Sequence, residues 1–404
     1  MKAPHLHAAV VALFLVAGII TAGHLYVESV LNRSVHALAP QVFDQKQFGV
    51  ALQLAALRQP DLLPIYGSSE LALPNPYQAS ALFKNYPTDF TVFPVGRRGA
   101  SSCLLWLQNL AAVAPDLHGK KVAFSVYPGS FYLPSIDSFT YAANYSGLHA
   151  SALAFSTRLS FAIKQAAARR MLQYPDTLTN DPFLRFALET LADGSALKRG
   201  LYYVLLPLGK LRNVVLRLQD EWEMLVFLHK QAGLQTPMRQ PHALDWPALI
   251  SRAGQEAQQL GESNPFGFEK TFWRNQGQEV FKEKDSLKPA EVLDILLHSA
   301  EWTDFELLLQ ALRQLGAQPL ILSPPLKGAY YDYVGVPYAI REAYYQNLTQ
   351  LAHDYNAQVT DFSSHDSDHY FTVDWWVHLS REGWIYYDQA LDAFFHSNNV
   401  RGEG

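Results

Sequence analysis

The amino-acid sequence predicts an α/β fold that carries a helical insertion and is preceded by one membrane-spanning helix. After about residue 60, short apolar runs of strand length alternate with amphipathic runs of helix length, which is typical of a sheet covered by helices. Between about residues 150 and 300 helical periodicity dominates, and this block is interpreted as the insertion. Residues 8–27 form an apolar run that only Gly23, His24 and Tyr26 interrupt.

Each element is predicted from its own apolar pattern. The predicted strands are residues 62–66, 90–95, 121–127, 319–323 and 358–362, and the predicted helices between them are residues 100–113, 301–315, 339–355 and 383–395. Within the insertion, helices are predicted at residues 156–172, 181–191 and 211–232. The apolar run 201–208 stops at Lys210, so it is too short to span a bilayer and is interpreted as a core helix or an interfacial segment.

The N-terminal run predicts a membrane anchor at residues 1–28, followed by an extracytoplasmic domain at residues 29–404. About 20 apolar residues are needed to cross a bilayer as a helix, and this run just suffices. A cleaved signal peptide remains an alternative, because residues 21–23 have the small side chains of a cleavage site. Both interpretations place the rest of the chain outside the cytoplasm, at the cell membrane or beyond it.

Composition excludes several classes of protein. Of the 404 residues, 49% are apolar and 17% are charged, which excludes a disordered chain. The net charge of −5, with no run of Lys or Arg, argues against nucleic-acid binding. The one cysteine, Cys103, excludes an internal disulfide and a thiolate metal cluster.

A possible nucleophile follows the first predicted strand. Residues 62–71 read LLPIYGSSEL, so Gly67 and two serines stand where the strand ends. A tight turn after a strand exposes a serine and offers a backbone N–H to an oxyanion. The same pattern is also typical of an ordinary turn in which Ser69 caps the next helix.

A possible base lies near the C-terminus, where Asp374 precedes His378 by four residues. A serine nucleophile needs an imidazole to accept its proton and a carboxylate to orient that imidazole. The alternative is an ordinary histidine in an aromatic loop, with Asp374 as a helix cap. The nearby polar stretch at residues 365–369 is interpreted as a solvated loop, and we expect neither a metal nor a cofactor.

Taken together, five segments resemble the DltD family. They are GSSEL at residues 67–71, GKKVAFSVYPGSF at 119–131, YAANYS at 141–146, YYDYVGVPYAIREAYY at 330–345 and HLSREGW at 378–384. The resemblance implies an SGNH-hydrolase-like fold, an open and mainly parallel sheet flanked by helices, with a Ser-His-Asp triad. It also implies a role in D-alanylation of teichoic acid or a related envelope polymer.

The resemblance assigns the nucleophile to Ser69, in preference to Ser68, and the general base to His378. Its oxyanion hole would use the Ser69 N–H and a second donor. Gly99 stands where an SGNH hydrolase offers a glycine N–H, and Asn144 is a substitute for the asparagine of that superfamily, which is not recognisable here.

The acid departs from the family pattern. The usual D-x-x-H spacing would put an aspartate at position 375, where this chain has Trp375. Asp374 is the preferred acid, since one helical turn would bring residues four apart onto the same face. Asp368 is the alternative.

The resemblance implies a membrane-anchored serine acyltransferase or esterase that carries D-alanine as an ester on Ser69. The implied partners are a D-alanyl carrier protein, a membrane-embedded acyltransferase and the envelope polymer as acceptor. The alternatives are a non-catalytic scaffold that docks the carrier and the acyltransferase, or an esterase, thioesterase or polysaccharide O-acetyltransferase with the same triad.

Overall fold

Five parallel strands form the centre of the fold, which is known from a computed structural model that describes residues 4–96, 99, 102–231 and 241–397, with side chains from residue 7 onward. The strands are β1 Leu62–Tyr66, β2 Thr91–Val95, β3 Lys121–Ser125, β4 Gln318–Ser323 and β5 Gln358–Asp361. Their spatial order is β2-β1-β3-β4-β5, and each pair of neighbours is parallel. The predicted α/β class with a parallel sheet is therefore confirmed.

Helices cover both faces of this sheet. They are α1 Pro4–Leu38, α2 Asp44–Phe48, α3 Ala51–Arg58, α4 Ala79–Asn85, α5 Cys103–Val113, α6 Ser138–Asn144, α7 Gly147–Ala154, α8 Phe161–Met171, α9 Pro182–Asp193, α10 Ala196–Lys230, α11 Trp246–Gly261, α12 Lys270–Asn275, α13 Pro289–His298, α14 Ala300–Leu315, α15 Gly328–Val334, α16 Tyr338–Asp354 and α17 Arg381–His396.

The strands divide the core into two layers, because successive side chains point to opposite faces. On one face, Tyr66, Phe93 and Phe124 pack with α3, α5 and α14. On the other face, Ile65 and Leu322 pack with α4 and α17. Since both faces are covered, the strands are almost continuously buried, as is typical of parallel sheets.

The described residues between β3 and β4 form helices and 3₁₀ turns without a strand, in the region predicted as the insertion. Two of the helices predicted in this region differ from their predicted bounds by more than two residues. The helix predicted at residues 156–172 begins at Phe161, because the Ser160 side chain accepts from the Ile163 N–H and caps it. The helix predicted at 211–232 is one helix with the apolar run 201–208, because α10 begins at Ala196 and continues through Pro207. Its predicted end at residue 232 lies outside the described residues, as does the start predicted at residue 100 for α5.

The N-terminal helix combines two environments. From residue 7 to residue 26 its side chains are exposed, and it is long and apolar enough to cross a membrane. From Val27 onward one face is buried against the domain, through Leu31, Val35 and Leu38. The predicted boundary at residue 28 thus falls inside a continuous helix, and the domain limits stay a prediction.

Candidate active site

The residues predicted to act in catalysis meet at the carboxyl edge of the sheet. Ser68 and Ser69 follow β1 directly, and Ser69 begins a 3₁₀ turn that ends at Leu71. His378 lies in the segment between β5 and α17. In open parallel sheets, this edge is where ligands bind.

Three of the predicted side chains form a continuous hydrogen-bonded chain. The Ser69 Oγ lies 2.7 Å from the His378 Nε2, and the His378 Nδ1 lies 2.6 Å from the Asp374 Oδ2. The His378 backbone N–H also donates to the Asp374 Oδ1, at 3.2 Å. This is the order of groups that nucleophilic serine catalysis requires.

The D-x-x-x-H spacing is accommodated by a tight loop and not by the helical turn that the sequence suggested. Thr372 and Leu379 form an antiparallel bridge, and the Val373 N–H donates to the His378 carbonyl at 2.8 Å. Val377 adopts a φ of 65°, in the left-handed region that a β-branched residue rarely enters. This strained residue immediately before His378 lets the chain turn the imidazole back onto Asp374.

The alternative acid, Asp368, has other partners. Its Oδ1 accepts from the Tyr370 N–H at 2.8 Å, and its Oδ2 lies 3.4 Å from the His365 Nδ1. Asp366 in the same stretch pairs with the buried Arg341. Among the described residues, no group of three His, Cys, Asp or Glu side chains is arranged to hold a metal ion.

The two adjacent serines have different environments. The Ser68 Oγ donates to the Glu70 Oε2 at 2.6 Å, and the Ser68 N–H donates to the Glu70 Oε1 at 2.9 Å. Both hydrogen-bond donors of Ser68 are thereby bound to one carboxylate, while the Ser69 hydroxyl faces the imidazole. Glu70, to which the sequence assigned no role, therefore shapes the turn that presents Ser69.

The two predicted oxyanion donors occupy different positions. Gly99 lines the same cavity as Ser69 and adopts a φ of 109°, a conformation that favours glycine. Asn144 lines an adjoining, smaller cavity with Gly67 and Gly99, and its Nδ2 donates to the Thr140 carbonyl at 3.0 Å. The role of both residues as donors stays a prediction.

A cavity of about 320 Å³ opens beside the Ser69 hydroxyl. Burial, with smaller contributions from the charges of Asp374 and Glu70, raises the pKa of Tyr127 in its wall to about 12, so the phenol stays protonated at neutral pH. Sequence reasoning missed several residues of the wall. They are Ser125, Tyr127, Pro324, Trp376, Val377 and Tyr387. Ser125 ends β3, and Tyr127 and Pro324 closely follow β3 and β4, so the predicted strands already carried a signal for these three.

Opposing effects act on the proton affinity of His378. Burial alone would lower the pKa of the imidazole, since it disfavours the charged form. The hydrogen bond and the charge of Asp374, with the charge of Glu70, outweigh burial and raise the pKa above its ordinary value. The carboxylate therefore makes His378 a stronger base toward the Ser69 hydroxyl.

Comparison with known proteins supplies the family context. A sequence model described as "DltD protein" matches residues 37–396. The chain is 31% identical over 371 residues to "Protein DltD" of Bacillus subtilis (strain 168), which covers 92% of this chain and 90% of that protein. It is 23% identical over 360 residues to "Protein DltD" of Staphylococcus aureus (strain NCTC 8325 / PS 47), covering 89% and 86% of the two chains.

Proposed function

Because the chain belongs to the DltD family, we propose that it is a membrane-anchored serine acyltransferase that acts in the D-alanylation of teichoic acid or a related envelope polymer. In this proposal Ser69 is the nucleophile, His378 the general acid and base, and Asp374 the group that orients the imidazole. The D-alanyl group is carried as an ester on Ser69.

The single observation that carries the proposal is the pair of short contacts at His378, 2.7 Å to the Ser69 hydroxyl and 2.6 Å to the Asp374 carboxylate. An imidazole held between a hydroxyl and a carboxylate activates that hydroxyl as a nucleophile. The contact with Asp374 supports catalysis over the scaffold alternative, which the departure from the D-x-x-H spacing had favoured.

The first half of the reaction makes the acyl-enzyme. The Ser69 Oγ attacks the carbonyl carbon of a D-alanyl thioester or ester, and its proton passes to the His378 Nε2. The bond from this carbon to the leaving sulfur or oxygen then breaks, and His378 gives its proton to the leaving group. The Ser69 N–H and the Gly99 N–H are the proposed donors to the oxyanion, each contributing about 3 to 4 kcal/mol to the transition state.

The second half transfers the acyl group. A hydroxyl of the acceptor polymer attacks the ester on Ser69, His378 accepts the hydroxyl proton, and the proton returns to Ser69 as its bond to the acyl carbon breaks. Attack by water would release D-alanine instead, so the same residues would support an esterase or thioesterase. Exclusion of water from the 320 Å³ cavity by the acceptor would favour transfer.

We also propose the partners and the location. The chain is held at the cell membrane by α1, with its remainder on the extracytoplasmic side. A carrier protein charged with D-alanine and a membrane-embedded acyltransferase supply the acyl group, and the envelope polymer accepts it.

Trapping of the acyl-enzyme tests this function. The full-length protein in detergent is mixed with a small D-alanyl thioester, quenched in acid and digested, and the peptide that carries Ser69 is analysed by mass spectrometry. We expect a D-alanyl adduct on Ser69 that is absent from the Ser69→Ala variant and persists in Ser68→Ala. Folded protein without an adduct on Ser69 would contradict the proposal.

A further inference from the structure

Helix α10 exposes a long apolar stripe that nothing in the proposed reaction uses. Its members follow one another at helical spacings of three, four and seven residues, so they lie on one face. Leu197 is 82% exposed and Trp222 is 66% exposed. The stripe consists of Leu197, Val204, Leu208, Leu211, Val215, Trp222 and Val226. From first to last it runs about 44 Å, since a helix rises about 1.5 Å per residue.

The opposite face of α10 is fixed to the domain, so the stripe is held outward. Tyr202, Gly209 and Met224 are buried. At Gly209 the helix approaches the Phe155 ring so closely that an added Cβ would lie 2.1 Å from it. The stripe is therefore exposed because the opposite face of the helix packs against the domain.

Two contacts locate α10 relative to the segment that enters the membrane. The His24 Nδ1, at the end of the exposed apolar part of α1, lies 2.7 Å from the Glu221 Oε1 on α10. Arg58, which precedes β1, pairs with Glu28 of α1. The apolar part of α1 thus leaves the domain at the amino edge of the sheet, beside α10.

The middle of α10 also lies near this edge. Phe155 packs on Gly209, and three residues later the Arg158 carbonyl accepts from the Gln314 side chain, just before β4 begins. The amino edge of the sheet is opposite the edge that carries Ser69. The middle of α10 and the exit of α1 therefore both lie near the amino edge, whereas the candidate active site lies at the carboxyl edge.

The charges of α10 suit an anionic surface. Between residues 196 and 219 the helix has five basic residues and no acidic one. Lys198 and Lys210 lie to either side of the stripe, whereas Arg212 pairs with Asp181 and Arg217 donates to the Ala112 carbonyl. The first acidic residue of the helix is Asp220. Amphipathic helices with an apolar face, basic flanks and an aromatic residue bind at the boundary between headgroups and acyl chains.

We propose that α10 lies on the membrane surface, with its apolar stripe inserted at the headgroup–acyl boundary and its basic flanks on anionic headgroups. This inference rests on the proposed anchoring by α1. It gives the domain a second membrane contact, which fixes its orientation and directs the Ser69 cavity away from the bilayer. A lipid surface is favoured over a protein partner because the stripe adjoins the end of the α1 segment that is apolar enough to cross a membrane, and because α10 itself has no acidic residue before Asp220.

Single fluorescent labels test the insertion in the full-length protein. Cys103 is buried, so cysteines introduced on the surface can be labelled with an environment-sensitive dye. The test sites are Leu208→Cys and Val215→Cys, and the control is Tyr338→Cys, which is exposed where α16 begins at the carboxyl edge. Val16→Cys reports on α1 separately. The proteins are reconstituted into phosphatidylcholine vesicles with or without phosphatidylglycerol, including lipids with a nitroxide quencher on the acyl chain.

We expect the emission at positions 208 and 215 to shift to shorter wavelength and to be quenched by the nitroxide lipids, more strongly with phosphatidylglycerol. The label at position 338 should show neither change. Quenching at position 16, with positions 208 and 215 behaving like position 338, would contradict the insertion of α10 and support anchoring by α1. Absence of quenching at position 16 as well would also contradict anchoring by α1. Because no other protein is present, a stripe covered by a protein partner would give the unquenched result.

Discussion

At the scale of single residues, the imidazole of His378 is the group on which the proposed reaction depends. It must be neutral to accept a proton from Ser69, and its hydrogen bond to Asp374 selects the tautomer with the proton on Nδ1. Burial would lower its pKa, whereas Asp374 and Glu70 raise it above the ordinary value. The net direction of the shift in this pKa determines the pH below which the proposed activity should decline.

The reactivity of Ser69 should therefore decline on acidification with a midpoint above about 6.5, the ordinary pKa of histidine. Protonated His378 cannot act as a base, so the raised pKa moves the acidic limb to higher pH. The measurement is the rate of labelling by a fluorophosphonate as a function of pH.

The Asp374→Asn variant provides the control for this pH profile. Loss of the carboxylate should lower the pKa of His378, shift the acidic limb to lower pH and reduce the rate by about 10⁴-fold. An acidic limb that does not move in Asp374→Asn would assign the titration to another group.

The same residues show which features of the candidate site could be predicted from the sequence. Ser69 and His378 were predictable from the resemblance of their flanking segments. The contact between Asp374 and His378 depends on a loop conformation with a positive φ at Val377, which local propensity does not predict. The sequence therefore pointed to the carboxylate that contacts His378 but attributed its position to a helical turn that the loop does not form.

At the scale of elements, a buried lysine holds the loop that carries His378 in place. The Lys327 Nζ, just before α15, donates to the carbonyls of His369 and Thr372, both at 2.6 Å, and of Gly267 at 3.1 Å. Lys327 is 1% exposed. It thus joins the segment before Asp374 to the chain before α12.

Replacement of this lysine should loosen the loop. In Lys327→Met, three carbonyls lose their donor, and each buried unsatisfied group costs about 1 to 3 kcal/mol. We expect the free energy of unfolding to fall by at least about 2 kcal/mol and the labelling of Ser69 to slow. Denaturant titration and labelling kinetics measure the two effects.

The matched control is Lys288→Met, at a lysine whose side chain is 75% exposed. It should change the free energy of unfolding by less than about 0.5 kcal/mol and leave the labelling rate unchanged. Equal behaviour of the two variants would mean that Lys327 does not position the loop.

Elements were predictable where burial and periodicity agree. The strand β1 has the predicted bounds. Its five residues are all buried, and they lie between the polar segment 59–61 and Gly67. Helix α10 was predicted only in part, because its apolar residues lie on both the packed face and the exposed face, so the run 201–208 shows no clear helical period.

At the scale of the whole molecule, α1 belongs to both the proposed membrane anchor and the core. The sequence predicted the anchor from its apolar run, but the packing of residues 27–38 against α3 depends on contacts between distant segments. Four buried side chains in this part, Val27, Leu31, Val35 and Leu38, contribute about 6 to 12 kcal/mol together. That is comparable to the total stability of a typical domain.

Truncation at two positions should separate these roles. A chain that begins at residue 24 keeps the four side chains and should unfold cooperatively in the absence of detergent. A chain that begins at residue 39 lacks them and should fail to fold. Circular dichroism during heating distinguishes the two, and cooperative unfolding of both chains at one temperature would show that α1 contributes nothing to the core.

The most direct test of the central claim, that Ser69 is a nucleophile activated by His378, is site-resolved labelling of the full-length protein with a fluorophosphonate. Mass spectrometry identifies the modified serine in the wild type and in Ser68→Ala, Ser69→Ala and His378→Ala. We predict an adduct on Ser69 in the wild type and in Ser68→Ala, none in Ser69→Ala, and a rate lower by about 10⁴-fold or more in His378→Ala. An adduct on Ser68, or a rate on Ser69 that is the same with and without His378, would contradict it.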